Sequence, residues 1–175
     1  MILKEKILFS KEECDYIINL SKELDEVKPY GYKDNVNNEN LKISYSVWAL
    51  DRDDKTQWIF DKIYTYFENE TSLKIKKELD KIYIHKYTKG QRFAKHNDTH
   101  YKTQIHNIGV CLNDNYNGGE FVLYNPELIL PKKQGSIYTF LSARMHEVKE
   151  ILNGERWSII GFLHIENIEL NKTLI

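Results

Sequence analysis

The sequence predicts a mainly β protein that opens with helices, and three observations predict it. Two stretches with helical spacing of apolar residues fall before residue 80. After residue 80 the pattern changes to short runs rich in Ile, Val, Tyr and Phe, with turn residues between them. No helical stretch separates those runs, which favours an antiparallel sandwich or barrel over βαβ units. At 175 residues the chain suits a single domain, 1–175. Residues 1–79 read as helical and strand support, and residues 80–166 as the β core.

The elements follow in order. "SKEECDYIINLSKEL" predicts a helix over 10–24: Ser10 is the N-cap and Glu13 completes a capping box. Cys14, Ile17, Ile18 and Leu24 then mark its buried stripe. "VKPYGYKDNVNNENLK" carries Pro, Gly and four asparagines and reads as a long loop, with 27–45 a candidate lid. "ISYSVWAL" alternates as a strand. A second helix is expected over 54–68, with Ile59, Ile63 and Phe67 on one face. The β core then offers "KIYIHKYT", "IHNIGVCLN", "GEFVLYN", "GSIYTFL" and "RWSIIGFLHIE". Turns are expected at Lys89-Gly90, Asn117-Gly118-Gly119, Asn125-Pro126 and Asn153-Gly154.

Charge and cysteine content exclude some partners. The chain has 25 basic against 26 acidic residues. Nucleic-acid binding through the phosphate backbone draws on a basic excess, so that partner is disfavoured. Two cysteines, Cys14 and Cys111, sit on unrelated elements and read as reduced thiols of a cytoplasmic protein. No apolar run approaches twenty residues and no signal sequence is recognisable, so neither a membrane span nor secretion is expected.

One stretch, "FAKHNDTHY", carries chemistry. Residues i and i+2 of an extended chain point to the same side, so His96 and Asp98 can grip one metal ion. His146, at the end of "GSIYTFLSARMHEV", is the best third ligand. Two histidines and a carboxylate on one face of an octahedral ion leave three positions open, the preferred arrangement of non-haem Fe(II) oxygenases. A 2-oxo acid fills two of them and O2 the third. If that acid is 2-oxoglutarate, its far carboxylate needs a buried guanidinium. Arg156 follows His146 by ten residues. Antiparallel return across Asn153-Gly154 is expected to set the two strands side by side. Ser158 shares the face of Arg156 and can add a hydroxyl.

Together "YTKGQRFAKHND", "YNGGEFVLYN" and "PKKQGSIYTFLSARMHEVKEILNGERWSIIGF" resemble the prolyl 4-hydroxylase-like branch of the Fe(II)/2-oxoglutarate-dependent dioxygenases. The resemblance covers residues 80 to 166 and implies a double-stranded β-helix (jelly roll, cupin-like) core with helices on one face. It implies His96, Asp98 and His146 as catalytic iron ligands and Arg156 as the 2-oxoglutarate anchor. Tyr87 matches a tyrosine lining the pocket, and Phe121 an apolar wall of the cosubstrate site. The strand "QIHNIGVCLND" departs from the relatives, which commonly read Arg at Gln104, Thr at Asn107 and Tyr at Cys111. Asn107 is placed with the cosubstrate-binding residues, and Ser158 or Tyr138 stands in for the missing tyrosine.

The implied reaction consumes Fe(II)-bound 2-oxoglutarate and O2, releases succinate and CO2, and hydroxylates carbon, with ascorbate as an optional reductant. A carboxylate at position 98 favours hydroxylation over halogenation. A prolyl residue in a peptide or protein is the first substrate choice, and a free amino acid or other small molecule the second. Tyr83, His85 and His100 are the candidate substrate contacts. Oxidative nucleic-acid demethylation is less favoured, because that branch carries a second arginine where this chain has Phe162. A non-enzymatic metal-binding β-barrel is the remaining alternative. His106 and His164 read as structural, Trp48, Trp58 and Trp157 as packing, and Cys111 as a small buried side chain.

Overall fold

Alternation along single strands divides the interior into two cores. The computed structural model describes residues 6–27, 45–99 and 104–166. In chain order the strands are β1 (Lys6–Ile7), β2 (Glu26–Val27), β3 (Ser46–Ala49), β4 (Lys81–Thr88), β5 (Phe93–His96), β6 (Gln104–Cys111) and β7 (Asn117–Gly118). They continue with β8 (Phe121–Leu123), β9 (Leu128–Ile129), β10 (Ser136–Leu141), β11 (His146–Val148), β12 (Ile151–Asn153) and β13 (Glu155–His164). The larger sheet has the order β1-β10-β6-β13-β4-β3-β2, the smaller β5-β11-β8-β9, and β12 pairs with β7. From β4 onward, β4, β6, β10 and β13 lie in the larger sheet, while β5, β8 and β11 between them lie in the smaller one. This crossing back and forth between two facing antiparallel sheets is a jelly roll.

In β4, Ile82 and Ile84 face the helices, whereas Tyr87 joins the core between the sheets. In β13, Trp157, Ile159 and Leu163 take the helix side, and Arg156, Ile160 and Phe162 face the other way onto a cavity. The helix-side core is mainly aliphatic, with aromatic side chains from α2 among them; the inter-sheet core is built largely from Tyr and Phe. Full burial of an Ile or Phe side chain contributes about 1.5–3 kcal/mol. The helix-side core therefore supplies a large share of the hydrophobic drive and leaves the inner face free for polar groups.

The first helix, α1 (Lys11–Leu20), ends in a 3-10 turn over Ser21–Glu23. Its capping box forms as expected: Glu13 N donates to Ser10 Oγ at 3.2 Å and Ser10 N to Glu13 Oε2 at 2.7 Å. Cys14 and Ile17 are buried as expected, and so is Leu20. The second helix, α2 (Gln57–Thr71), starts later than expected. Asp53 Oδ1 accepts from the backbone of Lys55 and Thr56, and this closes a turn that delays the helix. Ser72, with φ 60°, ends it. One close approach needs glycine: a Cβ on Gly109 would stand 2.2 Å from the Tyr138 ring, which lies flat against it.

The side-by-side placement of the His146 and Arg156 strands is corrected. β11 pairs with β5 and β8, while β13 pairs with β4 and β6. Between them, β12 is taken up by β7, so Asn153-Gly154 leads from that separate pair into the larger sheet. His146 and Arg156 face each other across the interior from opposite sheets. Most of the candidate lid, 28–44, lies outside the described residues. No helix among the described residues is long and apolar enough to cross a membrane.

Candidate active site

The smaller sheet delivers both histidines by register. His96 ends β5, His146 begins β11, and the two are direct cross-strand partners. Their rings stand 4.2 Å apart. Each ring is fixed through Nδ1: His96 Nδ1 lies 2.7 Å from Ala94 O and His146 Nδ1 lies 2.9 Å from Arg144 O. A carbonyl only accepts, so each Nδ1 carries the proton and each Nε2 presents a lone pair. Asp98 meets both, with Oδ1 3.4 Å from His96 Nε2 and Oδ2 3.2 Å from His146 Nε2. One donor atom from each of the three residues lies within 4.8 Å of the others. Burial disfavours ionised Asp98, but wherever Nε2 of His146 or His96 carries a proton in place of a metal ion, its hydrogen bond outweighs this and holds the carboxyl well below the usual range. Two lone pairs and a carboxylate converging in a buried corner form a donor set for a divalent cation. Nitrogen and oxygen donors of this composition suit iron.

A cavity of about 250 Å³ runs from these three residues to Arg156. Phe121 stacks on His146 at 5.4 Å and Phe140 meets it edge-on at 4.8 Å, which makes this wall apolar. Arg156 pairs in register with Tyr87, and its guanidinium sits 5.5 Å from the Tyr87 ring. Its Nη1 donates to Ser158 Oγ at 2.8 Å and its Nε has no partner. Burial works against the charge, but Tyr138, Tyr116, Tyr87 and Cys111 around it more than compensate, so the group stays cationic. No carboxylate of the described residues pairs with it. A buried cation without a counter-ion is costly unless an anion arrives to meet it. A dicarboxylate that reaches from the metal corner to Arg156 would supply that anion.

The other expected residues fall as follows. Tyr83, His85 and Tyr87 line the cavity from one face of β4. His85 makes no hydrogen bond within the described residues. Burial, reinforced by the Arg156 charge, pushes its imidazole down to about 3, so it is neutral. Ser158 is fully buried beneath Arg156 and acts through it. Tyr138 borders a second cavity of about 270 Å³, together with Arg156, Cys111 and Lys132. Its hydroxyl is buried and unpartnered, and burial pushes it up to about 12. Asn107, placed with the cosubstrate-binding residues on the sequence, is fully buried, lies off the cavity lining and donates through Nδ2 to Asp98 Oδ2. His100 lies outside the described residues.

Several lining residues were not foreseen. Tyr45 stacks on Tyr87 at 4.5 Å, and Phe93 on His96 at 3.9 Å. Val47, Ile160 and Phe162 complete that side. The signal was present as period-two spacing: Arg156, Ser158, Ile160 and Phe162 share a strand face, as do Tyr45 and Val47.

Residues 82–164 match the sequence profile of the 2OG-Fe(II) oxygenase superfamily. That match, over a little under half of the chain, supports the 2OG-Fe(II) oxygenase superfamily. A PKHD-type hydroxylase of Parvibaculum lavamentivorans is 27% identical over 103 residues, covering 54% of this chain and 47% of the relative. The chain thus spans about half the length of that curated relative. Among solved structures, a prolyl hydroxylase from Trichoplax adhaerens in complex with a hypoxia inducible factor oxygen degradation domain peptide fragment superposes with a TM-score of 0.74. It is 17% identical, over 94% of this chain and 82% of its own. The viral collagen prolyl hydroxylase of Paramecium Bursaria Chlorella virus-1, solved as a 2OG complex, gives 0.68 at 14% identity, over 92% and 94%. These likenesses bear out the jelly-roll fold. The family match implies Fe(II), 2-oxoglutarate and O2, and the donor set of His96, Asp98 and His146 fits the iron.

Proposed function

We propose that the protein is an Fe(II)- and 2-oxoglutarate-dependent hydroxylase acting on a carbon centre, with a prolyl residue of a peptide as substrate. The observation that carries this reading is one cavity with a two-histidine, one-carboxylate corner at one end and an unpaired buried guanidinium at the other. His96, Asp98 and His146 would hold the metal, and Arg156, backed by Ser158, would take the far carboxylate of 2-oxoglutarate. Bound there, the iron with 2-oxoglutarate and O2 supplies the oxidation that turns C–H into C–OH and leaves succinate and CO2.

The chain's own groups set the conditions for that chemistry. The carbonyls of Ala94 and Arg144 keep both imidazoles in the ligating tautomer. Phe121, Phe140 and Val148 keep water from the metal corner, where electrostatic interactions are correspondingly stronger. Tyr87 stays protonated, because burial raises its hydroxyl well above the ordinary range. Its phenol is therefore available as a donor beside Arg156.

The charge inventory favours a peptide over a free amino acid. Among the described lining residues, the charged side chains besides the candidate ligands reduce to Arg156. A free amino acid would need a further cation and a further carboxylate for its own termini. Tyr83, neutral His85, Ile160 and Phe162 suit an uncharged apolar ring carried on amide bonds. The prolyl hydroxylases described above, one of them holding a peptide, support the same choice. Phe162, packed edge-on against Tyr83 at 6.0 Å, fills the position where a nucleic-acid demethylase carries its second arginine.

The test is to incubate the Fe(II)-loaded protein with 2-oxoglutarate, O2 and a panel of proline-containing peptides, following succinate and the peptide mass. Gain of one oxygen atom on a proline, absent in Asp98→Ala, is expected. Succinate release stimulated by free amino acids and by no peptide would overturn the substrate; no stimulation above the Asp98→Ala background would overturn the activity.

A further inference from the structure

Asp98 lies beyond the end of β5, where no strand ladder supports it. Three bonds fix it nevertheless. Its N–H donates to Ser142 O at 2.9 Å. Its carbonyl accepts from Gln104 Nε2 at 3.0 Å. Its Oδ2 accepts from Asn107 Nδ2. The partners come from β6 and from the turn between β10 and β11, not from the segment that carries Asp98.

The Asn107 amide has one orientation open to it. Its Oδ1 accepts from Ser142 Oγ at 2.9 Å and from Gln104 Nε2 at 3.4 Å. Gln104 Nε2 is itself a donor, because it also serves the carbonyl of Asp98. A reversed Asn107 would set NH2 against NH2 and carbonyl against carboxylate. Thr139 Oγ1, donating to Asn107 O at 2.9 Å, ties down the backbone beneath. Asn107, Ser142, Thr139 and Gln104 are all buried. A buried polar cluster is kept at a cost unless every member is satisfied, and here its bonds converge on one carboxylate oxygen.

We propose that Asn107 is a positioning residue that holds Asp98 to one-oxygen ligation, with Oδ2 engaged by the amide and Oδ1 left for the metal. The inference rests on the reading of His96, Asp98 and His146 as a metal site. It has a direct consequence for that site. A six-coordinate ion held by two histidines and one carboxylate oxygen keeps three positions open, whereas a chelating carboxylate leaves two. Three are required for a bidentate 2-oxo acid and O2 together. Asn107 thus preserves the third open position, and Ser142 and Gln104 act through it.

The test uses Co(II) alone as probe, with no cosubstrate and no turnover. Apoprotein is titrated and the d–d absorption followed for wild type, Asp98→Ala, Asn107→Ala and Ser142→Ala, with circular dichroism to check folding. Asn107→Ala should bind Co(II) about 10–100-fold more weakly, as is typical when a support to a metal ligand is removed. Its d–d spectrum should also change, because both carboxylate oxygens become available. Ser142→Ala should shift both readouts in the same direction by less. Wild-type affinity in Asn107→Ala overturns the proposal, and so does weaker binding with an unchanged spectrum. If Asn107→Ala does not fold, Ser142→Ala decides: a wild-type affinity and spectrum there overturn it. Wild-type Co(II) binding in Asp98→Ala would instead overturn the metal-site reading itself.

Discussion

Replacing Arg156 with methionine should move ligand affinity and stability in opposite directions. The guanidinium is 4% exposed, has no counter-ion among the described residues and makes one side-chain hydrogen bond, to Ser158. In the free protein the folded state therefore carries a buried, unpaired charge. Exchanging buried charge for a hydrophobic side chain of similar size is neutral or stabilising by about 1–4 kcal/mol. The lost bond to Ser158 returns about 1 kcal/mol of that. The net effect on free Arg156→Met lies between a loss of about 1 and a gain of about 3 kcal/mol. That corresponds to a rise in thermal midpoint of up to about 10 °C for a domain of this size. With 2-oxoglutarate bound the account reverses, because the far carboxylate is then buried without its partner. Removing one member of a buried pair costs about 3–5 kcal/mol, a loss in affinity of roughly 10²- to 4 × 10³-fold. Anaerobic titration of the Fe(II) protein with 2-oxoglutarate, read at the visible metal-to-ligand charge-transfer band, measures the second quantity; a thermal melt of the free protein measures the first. Less than a tenfold loss of affinity, or a melting point more than about 5 °C below wild type, would refute the reasoning, since a structural arginine would behave in the second way.

The remaining predictions concern stability. Asp80 accepts from His164 N at 2.9 Å through Oδ1, its Oδ2 is unpartnered, and burial raises its carboxyl to about 7. The folded state then keeps a proton that the unfolded chain releases from about pH 4 upward, so stability falls as pH rises towards 7, by at most about 1.4 kcal/mol per unit. Asp80→Asn should flatten that slope and melt above wild type at pH 8; a slope unchanged in urea titrations would contradict the assignment. Fe(II) or Co(II) at about 100 times its Kd should stabilise the protein by about 2.7 kcal/mol, reversibly with chelator, and a similar gain in Asp98→Ala would point to a different metal site. Gly109→Ala should cost about 1–3 kcal/mol in chemical denaturation, because the new Cβ overlaps the Tyr138 ring. Adding Tyr138→Leu should recover part of that loss, and no recovery would place the strain elsewhere.

The sequence showed most clearly what coordination chemistry and strand periodicity dictate locally. His96 and Asp98 stand two apart, and in an extended chain that spacing points both to the same side. The capping box of Ser10 and Glu13 is likewise a four-residue affair, and it forms as written. The relation between His146 and Arg156 failed for the opposite reason. A Gly-marked turn tells where the chain reverses, but not which of two sheets receives it afterwards, because both choices satisfy the same turn chemistry. β12 is claimed by β7, a pairing between residues more than thirty positions apart that no local pattern announces.

Asn107 is the more instructive case. Its neighbours in sequence form a strand, buried on both faces, and the strand itself was legible. A polar side chain on the inner face had two uses open to it: the cosubstrate or the carboxylate. The choice turns on Gln104 and on Ser142, whose contact with Asn107 exists only once β10 lies against β6 with Phe140 opposite Asn107. A ligand is recognisable because the metal prescribes its donor atom. A residue that aims a ligand is prescribed only by its partners, and those are fixed by the pairing of distant strands. For this chain the departures at Gln104 and Asn107 are therefore best understood as a pair: two amides that donate in series to a single aspartate.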